Sequence, residues 1–390
     1  MRAGCKPDER ILWNGAAQQH TSELGRCSIP LRAVDKPLNQ THNKWALQLQ
    51  TVNPFDFRSR GDAELIAWLT DVGTETTAAA GQQLIQEGDN AEALLFLLDG
   101  CCVVNTTDAN QRQVTLNNLK AGALIGEMSW LEQRPAVANI VTQAPSRVLE
   151  VPFAAIEQLE RVHPTLAAQL PRLLAQKLAL QIQQQNHDLT GATQPSAEPL
   201  RKVLTLFANL QQRDVHRLAS YGRLEQIRAG EWLLRQGQPV NSLYLVLSGE
   251  GEIRVEHEGR SRSVGKARRG ELIGEMSLLL EDQKGASADV LAPEGIDLLV
   301  IEQDRLRNEL AVDPALDCRF HRAMACMLSQ RSRDQLQQHQ LGQLSQRRER
   351  AQDATDDDSL DLQQLEAVSR GARHFDWLCR HFQTQGVERR

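Results

Sequence analysis

The chain has little of what catalysis, a membrane or a disulfide framework would require. Its seven cysteines (Cys5, Cys27, Cys101, Cys102, Cys318, Cys326 and Cys379) form no C-x-x-C pair and are odd in number, which argues against a disulfide scaffold or a zinc knuckle. Its ten histidines form no H-x-H pair, and only His257 falls in a stretch of strand character, so a histidine-ligated metal site is not expected. There is no nucleophile elbow and no phosphate-binding P-loop, and we read the chain as non-enzymatic. No apolar run reaches the ~18 residues of a membrane helix, and Met1–Gln19 has no apolar core of signal-peptide length. The basic excess that phosphate backbones demand is missing, because the formal charge is −6. Aromatics are only 4% of residues, within an ordinary 41% apolar composition. These absences describe a reduced, cytoplasmic, globular protein.

What the chain does have is a statement made twice. Leu84-Ile85-Gln86-Glu87-Gly88 is answered by Leu233-Leu234-Arg235-Gln236-Gly237, and Leu95–Gly100 by Tyr244–Gly249, both at an offset of 149 residues. Gly122–Ser129 is answered by Gly270–Ser277 at 148, and Ala138 by Ala288 at 150. A nearly constant offset of this size marks two copies of one domain, each large enough to own a core.

Each copy opens with helical spacing, changes to short apolar runs punctuated by glycine, and returns to helix. The runs lie between Gly81 and Pro152 and between Gly230 and Ile301. Many short strands with regular turn signals predict a compact β-roll. His163-Pro164 and Asp313-Pro314 then place proline at a first helical position. The stripe Leu166–Ile182, interrupted at Pro171, predicts a short helix breaking into a second one, and the stripe Leu316–Leu328 predicts a final helix that buries against its own roll, against the other copy or in a homodimer. The organisation read from this is a flexible tail over 1–54, a first domain over 55–186, a linker over 187–199, a second domain over 200–345, and a C-terminal tail over 346–390. That last tail contains a short amphipathic helix with Leu362, Leu365, Val368, Phe375, Trp377 and Leu378, docking on the body or on a partner.

The order helix, eight-stranded roll, helix, with Ile-Gly-Glu-Met-Ser in both copies and Leu-Tyr-Leu-Val-Leu-Ser-Gly at Leu243–Gly249, resembles the cyclic nucleotide-binding domain. That family includes catabolite activator proteins, regulatory subunits of the cAMP-dependent kinase and gated ion channels. The resemblance implies a mainly β fold with flanking helices, two tandem double-stranded β-helix (jelly-roll-like) domains, each closed by C-terminal helices. It also implies a ligand, cAMP or cGMP, seated on a short helix whose backbone amides face the cyclic phosphate. Carried over to this chain, the ligand residues are Gly126, Glu127, Met128 and Ser129 in the first copy and Gly274, Glu275, Met276 and Ser277 in the second. Gly126 and Gly274 would let the backbone approach closely. Glu127 and Glu275 would accept the ribose 2′-hydroxyl. Ser129 and Ser277 stand for the usual alanine, their hydroxyls offering an extra donor.

In one respect the chain departs from that pattern. Relatives that bind cAMP carry P-R-[AST]-A, whose arginine pairs with the phosphate; here Ala136 and Ala286 occupy the arginine's position. A charge-assisted contact of that kind contributes roughly 1.5–3 kcal/mol, one to two decades in affinity. Arg134 and Lys284 lie two residues earlier, on the same side of an extended segment, and are either partial substitutes or solvent-facing loop cations. The region after the second roll is too short and too acid-punctuated for the helix-turn-helix of a transcription regulator, so no DNA partner is expected. The expectation is a regulatory protein sensing a cyclic nucleotide or related anion, without a tightly bound cofactor, and signalling to a protein partner. The alternative is a scaffold whose pockets have lost their ligand.

Overall fold

The structure is a computed structural model that describes residues 62–107, 113–188, 205–257, 260–280, 285–342 and 362–387. The 1–54 tail, most of the 187–199 linker and residues 346–361 lie outside the described residues, as does Lys284.

The first copy opens with helix α1 (Asp62–Val72) and continues through β1 (Thr74–Ala78), β2 (Gln83–Ile85), β3 (Ala93–Asp99), β4 (Cys101–Thr107), β5 (Gln113–Lys120) and β6 (Leu124–Ile125). A short helix α2 (Glu127–Glu132) precedes β7 (Asn139–Thr142) and β8 (Ser146–Pro152). Two four-stranded sheets result, ordered β1-β8-β3-β6 and β2-β7-β4-β5, with antiparallel pairing throughout. Leu95, Leu97, Cys102, Ile125, Ile140 and Val148 close the space between the sheets. Of the two cysteines that open β4, Cys102 is buried and Cys101 half-buried. Alternate residues of β3 face opposite ways, yet Leu94, Phe96 and Leu98 are buried too, because flanking helices cover the outer face.

The second copy repeats this topology with one strand fewer, not the eight expected. It begins with α6 (Gln212–Tyr221), capped reciprocally by Gln211 and Asp214, then β9 (Arg223–Ile227), β10 (Glu231–Leu234) and β11 (Ser242–His257). β12 (Arg260–Arg268), β13 (Leu272–Ile273), the short helix α7 (Glu275–Leu279), β14 (Asp289–Ala292) and β15 (Ile296–Glu302) follow. The first half of β11 pairs with β13 and β15, and the second half with β12 and β14. One strand therefore does the work of β3 and β4, crossing from sheet to sheet at Gly249, whose φ of 77° matches the 93° of Gly100 at the equivalent break.

Helix α3 (Phe153–Val162), the single turn α4 (Pro164–Ala167) and α5 (Gln169–Asp188) close the first roll; α8 (Gln303–Val312) and α9 (Pro314–Gly342) close the second. The expected interruption falls at Ala168, leaving Pro171 in the first turn of α5, where its missing N–H leaves no intrahelical bond unmade. α5 continues to Asp188, into the stretch read as linker.

The apolar stripes of α5 and α9 bury against each other. Arg172 pairs with Asp317 and Gln181 donates to Ser332 at 3.3 Å, so the two helices run in the same direction with a stagger close to the repeat offset. Ala175, Ala179 and Ile182 on one side and Ala325, Ser329 and Ser332 on the other are fully buried. Small side chains on both helices let the backbones approach closely. The copies thus meet through equivalent faces, as two subunits do about a twofold axis.

The apolar piece of the C-terminal tail is a helix of 26 residues, α10 (Leu362–Val387), rather than a short one, and it docks on the second copy. Phe375 lies 5.5 Å from Phe207 between ring centres, Trp377 stacks on His216 at 3.9 Å, and the His374 ring contacts the Phe207 carbonyl at 3.1 Å.

Candidate functional site

Both short helices start from a glycine in the left-handed region, Gly126 at φ 87° and Gly274 at φ 90°. The requirement is local. A Cβ at Gly126 would sit 2.9 Å from the Ala93 carbonyl, and one at Gly274 would sit 2.6 Å from the Ser242 carbonyl. The close approach that forces glycine is therefore to the neighbouring strand, where sequence reasoning assigned it to a ligand.

Beside the first short helix lies a cavity of about 490 Å³. Of the residues expected at the site, Met128, Arg134 and Ala136 line it. Gly88, Leu116, Pro135 and Val137 complete the apolar wall, and Glu87, Thr106 and Arg333 add polar groups. Ala136 is held there by two backbone bonds, donating to the Asp89 carbonyl at 2.9 Å and accepting from the Gly88 amide at 2.8 Å. The second copy reproduces this clamp: the Ala286 carbonyl accepts from Gly237, and its amide donates to Gln238, both at 2.8 Å. Both alanines are buried, so each occupies the arginine's position without its charge.

Glu127 and Glu275 do not stand open. Lys177 of α5 donates to Glu127 Oε1 at 2.9 Å and to the Leu124 carbonyl at 3.0 Å. Arg331 of α9 donates to Glu275 Oε1 at 3.1 Å. In each copy the carboxylate at the head of the short helix is held by a cation from the helix that follows its own roll. Glu275 is the deeper: its side chain is 6% exposed, and burial raises its pKa from the ordinary 4.5 although Arg331 pulls the other way.

The two serines are buried. The Ser277 hydroxyl donates to the Val240 carbonyl at 2.9 Å and accepts from Gln303 at 3.0 Å, so the extra ligand donor expected of it is already committed to the protein. Gln303 also donates to the Gly274 carbonyl at 3.2 Å, which pins the second short helix to the start of α8. Met276 is half-buried.

The two copies exchange contacts across these sites. α9 packs on α2, and α5 packs on α7. Ser329 of α9 donates to Glu132 Oε1 at 2.6 Å, the Cys326 thiol approaches the Leu131 carbonyl at 3.0 Å, and the Arg322 guanidinium lies 4.6 Å from the centre of the Trp130 ring. Arg333 of α9 lies 3.0 Å from Glu132 Oε2.

Sequence reasoning did not find Lys177, Arg331, Arg333, Glu87 or Thr106. Glu87 accepts the Thr106 hydroxyl on both oxygens, at 2.9 and 3.0 Å, and an Asn139 amide at 3.4 Å. The only available signal for Lys177 was a cation breaking the apolar stripe of α5.

A model of the cyclic nucleotide-binding domain matches residues 75–163 and 224–313. The chain is 24% identical over 296 residues to the cGMP-dependent protein kinase egl-4 of Caenorhabditis briggsae, a match covering 74% of this chain and 35% of that one. It is 21% identical over 242 residues to the cAMP-dependent protein kinase regulatory subunit of Blastocladiella emersonii, covering 62% and 53%. The chain thus spans about a third to a half of the length of these relatives. Among solved structures, the regulatory domain of Toxoplasma gondii PKA with cAMP aligns with 71% of this chain and 99% of its own, at 15% identity and a TM-score of 0.28. Among the described residues, no helix is long and apolar enough to cross a membrane.

Proposed function

This chain is a tandem cyclic nucleotide-binding domain protein, and on that premise we propose that it is a non-enzymatic cytoplasmic sensor, coupling cAMP or cGMP to a protein partner through the paired helices α5 and α9. One observation carries the reading. Each candidate ribose-binding carboxylate is gripped by the helix that would report ligand, Glu127 by Lys177 and Glu275 by Arg331. A ribose hydroxyl arriving at Glu127 competes with Lys177 for the same oxygens, so ligand and helix position are linked through one carboxylate. A ligand shifts such an equilibrium only by its difference in affinity for the two helix positions, tenfold in population for each ~1.4 kcal/mol. The cavity beside α2 has the size of a small-molecule site, roughly 300–1,000 Å³. Met128, Arg134 and Ala136 line it, which supports their assignment as ligand contacts.

A second reading, a scaffold without ligand, draws support from the second copy. There Glu275 is deeply buried, Ser277 is bonded inward and Ala286 stands in the arginine's place. Calorimetric titration of the full chain with cAMP and with cGMP separates the readings. Saturable heat that the Glu127→Ala/Glu275→Ala variant loses supports the sensor, and a flat trace at millimolar ligand leaves the scaffold.

A further inference from the structure

The cation missing from the first short-helix segment is present in the first cavity, but it comes from the other copy. Arg333 lies on α9, beyond the second roll, yet lines the cavity beside Met128 and Ala136. We propose that Arg333 is the anion ligand of the first site, supplied by the second repeat in place of the arginine that Ala136 has lost. The proposal deepens the sensor reading and rests on it.

Three observations support it. First, the guanidinium is poorly satisfied where it stands. Its side chain is 12% exposed and lies 3.0 Å from Glu132 Oε2, yet Arg333 Nε, Arg333 Nη2 and Glu132 Oε2 are all buried without a hydrogen bond of acceptable geometry. A buried ion pair formed for stability alone is expected to be aligned and fully bonded, because misalignment leaves the desolvation of both charges uncompensated. Second, the misfit is concentrated. Among the described residues, Trp130 Nε1 joins those three atoms, so half of the eight unsatisfied buried side-chain polar atoms belong to residues that meet where α2 and α9 pack. Third, two guanidiniums reach the cavity wall. Arg134 and Arg333 face it with Glu87, whose carboxylate is bonded to Thr106 and Asn139. A cyclic phosphate is a diester carrying a single charge, and at Arg333 it would compete with the Glu132 carboxylate for the guanidinium.

The arrangement also makes the first site incomplete without the second repeat. Arg333 stands two residues from Arg331, which holds Glu275, so one stretch of α9 touches the sites of both copies.

The test is titration of the full chain with cAMP, cGMP and their uncharged nucleosides, adenosine and guanosine. In the wild type, cyclic-nucleotide binding is saturable. Arg333→Met lowers affinity at one of the two sites about ten- to hundredfold for the cyclic nucleotides and leaves the nucleosides unchanged. Glu132→Gln, which removes the competing charge while keeping a hydrogen-bond acceptor for Ser329, moves affinity the opposite way, tighter by a few-fold; a purely structural role for Arg333 would not produce that gain. Equal losses for nucleotide and nucleoside overturn the assignment to phosphate. Wild-type affinity in Arg333→Met, or weaker binding in Glu132→Gln, overturns the role of Arg333 and leaves the sensor standing. No saturable binding to the wild type overturns the sensor reading itself, and this inference with it.

Discussion

Replacing Arg331 with methionine tests whether the second carboxylate is held in place by α9. The substitution keeps a long apolar stem and removes the charge that faces Glu275 at 3.1 Å. Removing one partner of a buried ion pair costs about 3–5 kcal/mol, because the remaining charge has neither water nor counterion. Arg331 is 35% exposed, which lowers its share of that cost, and about 3 kcal/mol is the expected loss at neutral pH. For a unit of 150–250 residues this corresponds to a drop in Tm of roughly 6–12 °C. The pH dependence gives the cause. Burial already raises the native pKa of Glu275 above its ordinary 4.5, with Arg331 opposing and Glu271 adding to the rise. A carboxyl raised in the native state contributes most stability when protonated and loses it as pH climbs from 4.5 toward its native value. Without Arg331 that native value climbs further, so the deficit of the variant is small near pH 4.5 and grows toward pH 7.5. Thermal melts at both pH values, on Arg331→Met and on Arg331→Met/Glu275→Gln, read the effect, and the double variant should recover most of the loss. An equal deficit at both pH values, or no recovery in the double variant, would refute the reasoning.

Three further outcomes follow from the same structure. Phe375→Ala removes the contact with Phe207 and the ring beneath Arg269, and loosens the docking of α10 by about 3 kcal/mol; amide exchange in α10 should accelerate while exchange in the two rolls is unchanged. Asp313 accepts the Leu316 amide at 3.0 Å and pairs with Arg217, contacts that hold its pKa below the ordinary 3.8, so its stabilisation is present above that pH and lost below it. Asp313→Ala should therefore cost about 1 kcal/mol at pH 7, and its deficit should shrink as pH falls below 3.8 in urea melts. Burial raises the thiol of Cys102 to about 11 and those of Cys318 and Cys326 to about 12, so peptide mapping after alkylation at pH 8 should find all three protected in the native protein and labelled in urea.

The rolls were legible because their signals are local. Short apolar runs such as Leu95–Leu98 and glycines at Gly100 and Gly249 specify strands and corners without knowledge of any partner. The merging of two strands into β11 was not legible, since the same corner glycine permits a break in one copy and a continuous strand in the other. The stripes on α5 and α9 were visible, but their partner was open, because an apolar face does not say what covers it. The residues that settle it, Ala175 and Ala179 against Ala325 and Ser329, carry a signal only when compared at the repeat offset. The site was half legible. Gly126, Glu127, Gly274 and Glu275 stand at the starts of the short helices as expected. The cations that hold the carboxylates, Lys177 and Arg331, lie dozens of residues away, and nothing in the sequence pairs them with Glu127 and Glu275. Arg333 was further still from view, since it reaches the cavity of a domain to which it does not belong.

The central claim is that this pair of rolls holds a cyclic nucleotide by the carboxylates that α5 and α9 now grip. Isothermal titration of the full chain with cAMP and with cGMP measures it directly. The account predicts saturable binding of at least one of the two and its loss in Glu127→Ala/Glu275→Ala. Heats that stay at the dilution baseline up to millimolar ligand, or binding that the double variant retains in full, would contradict it.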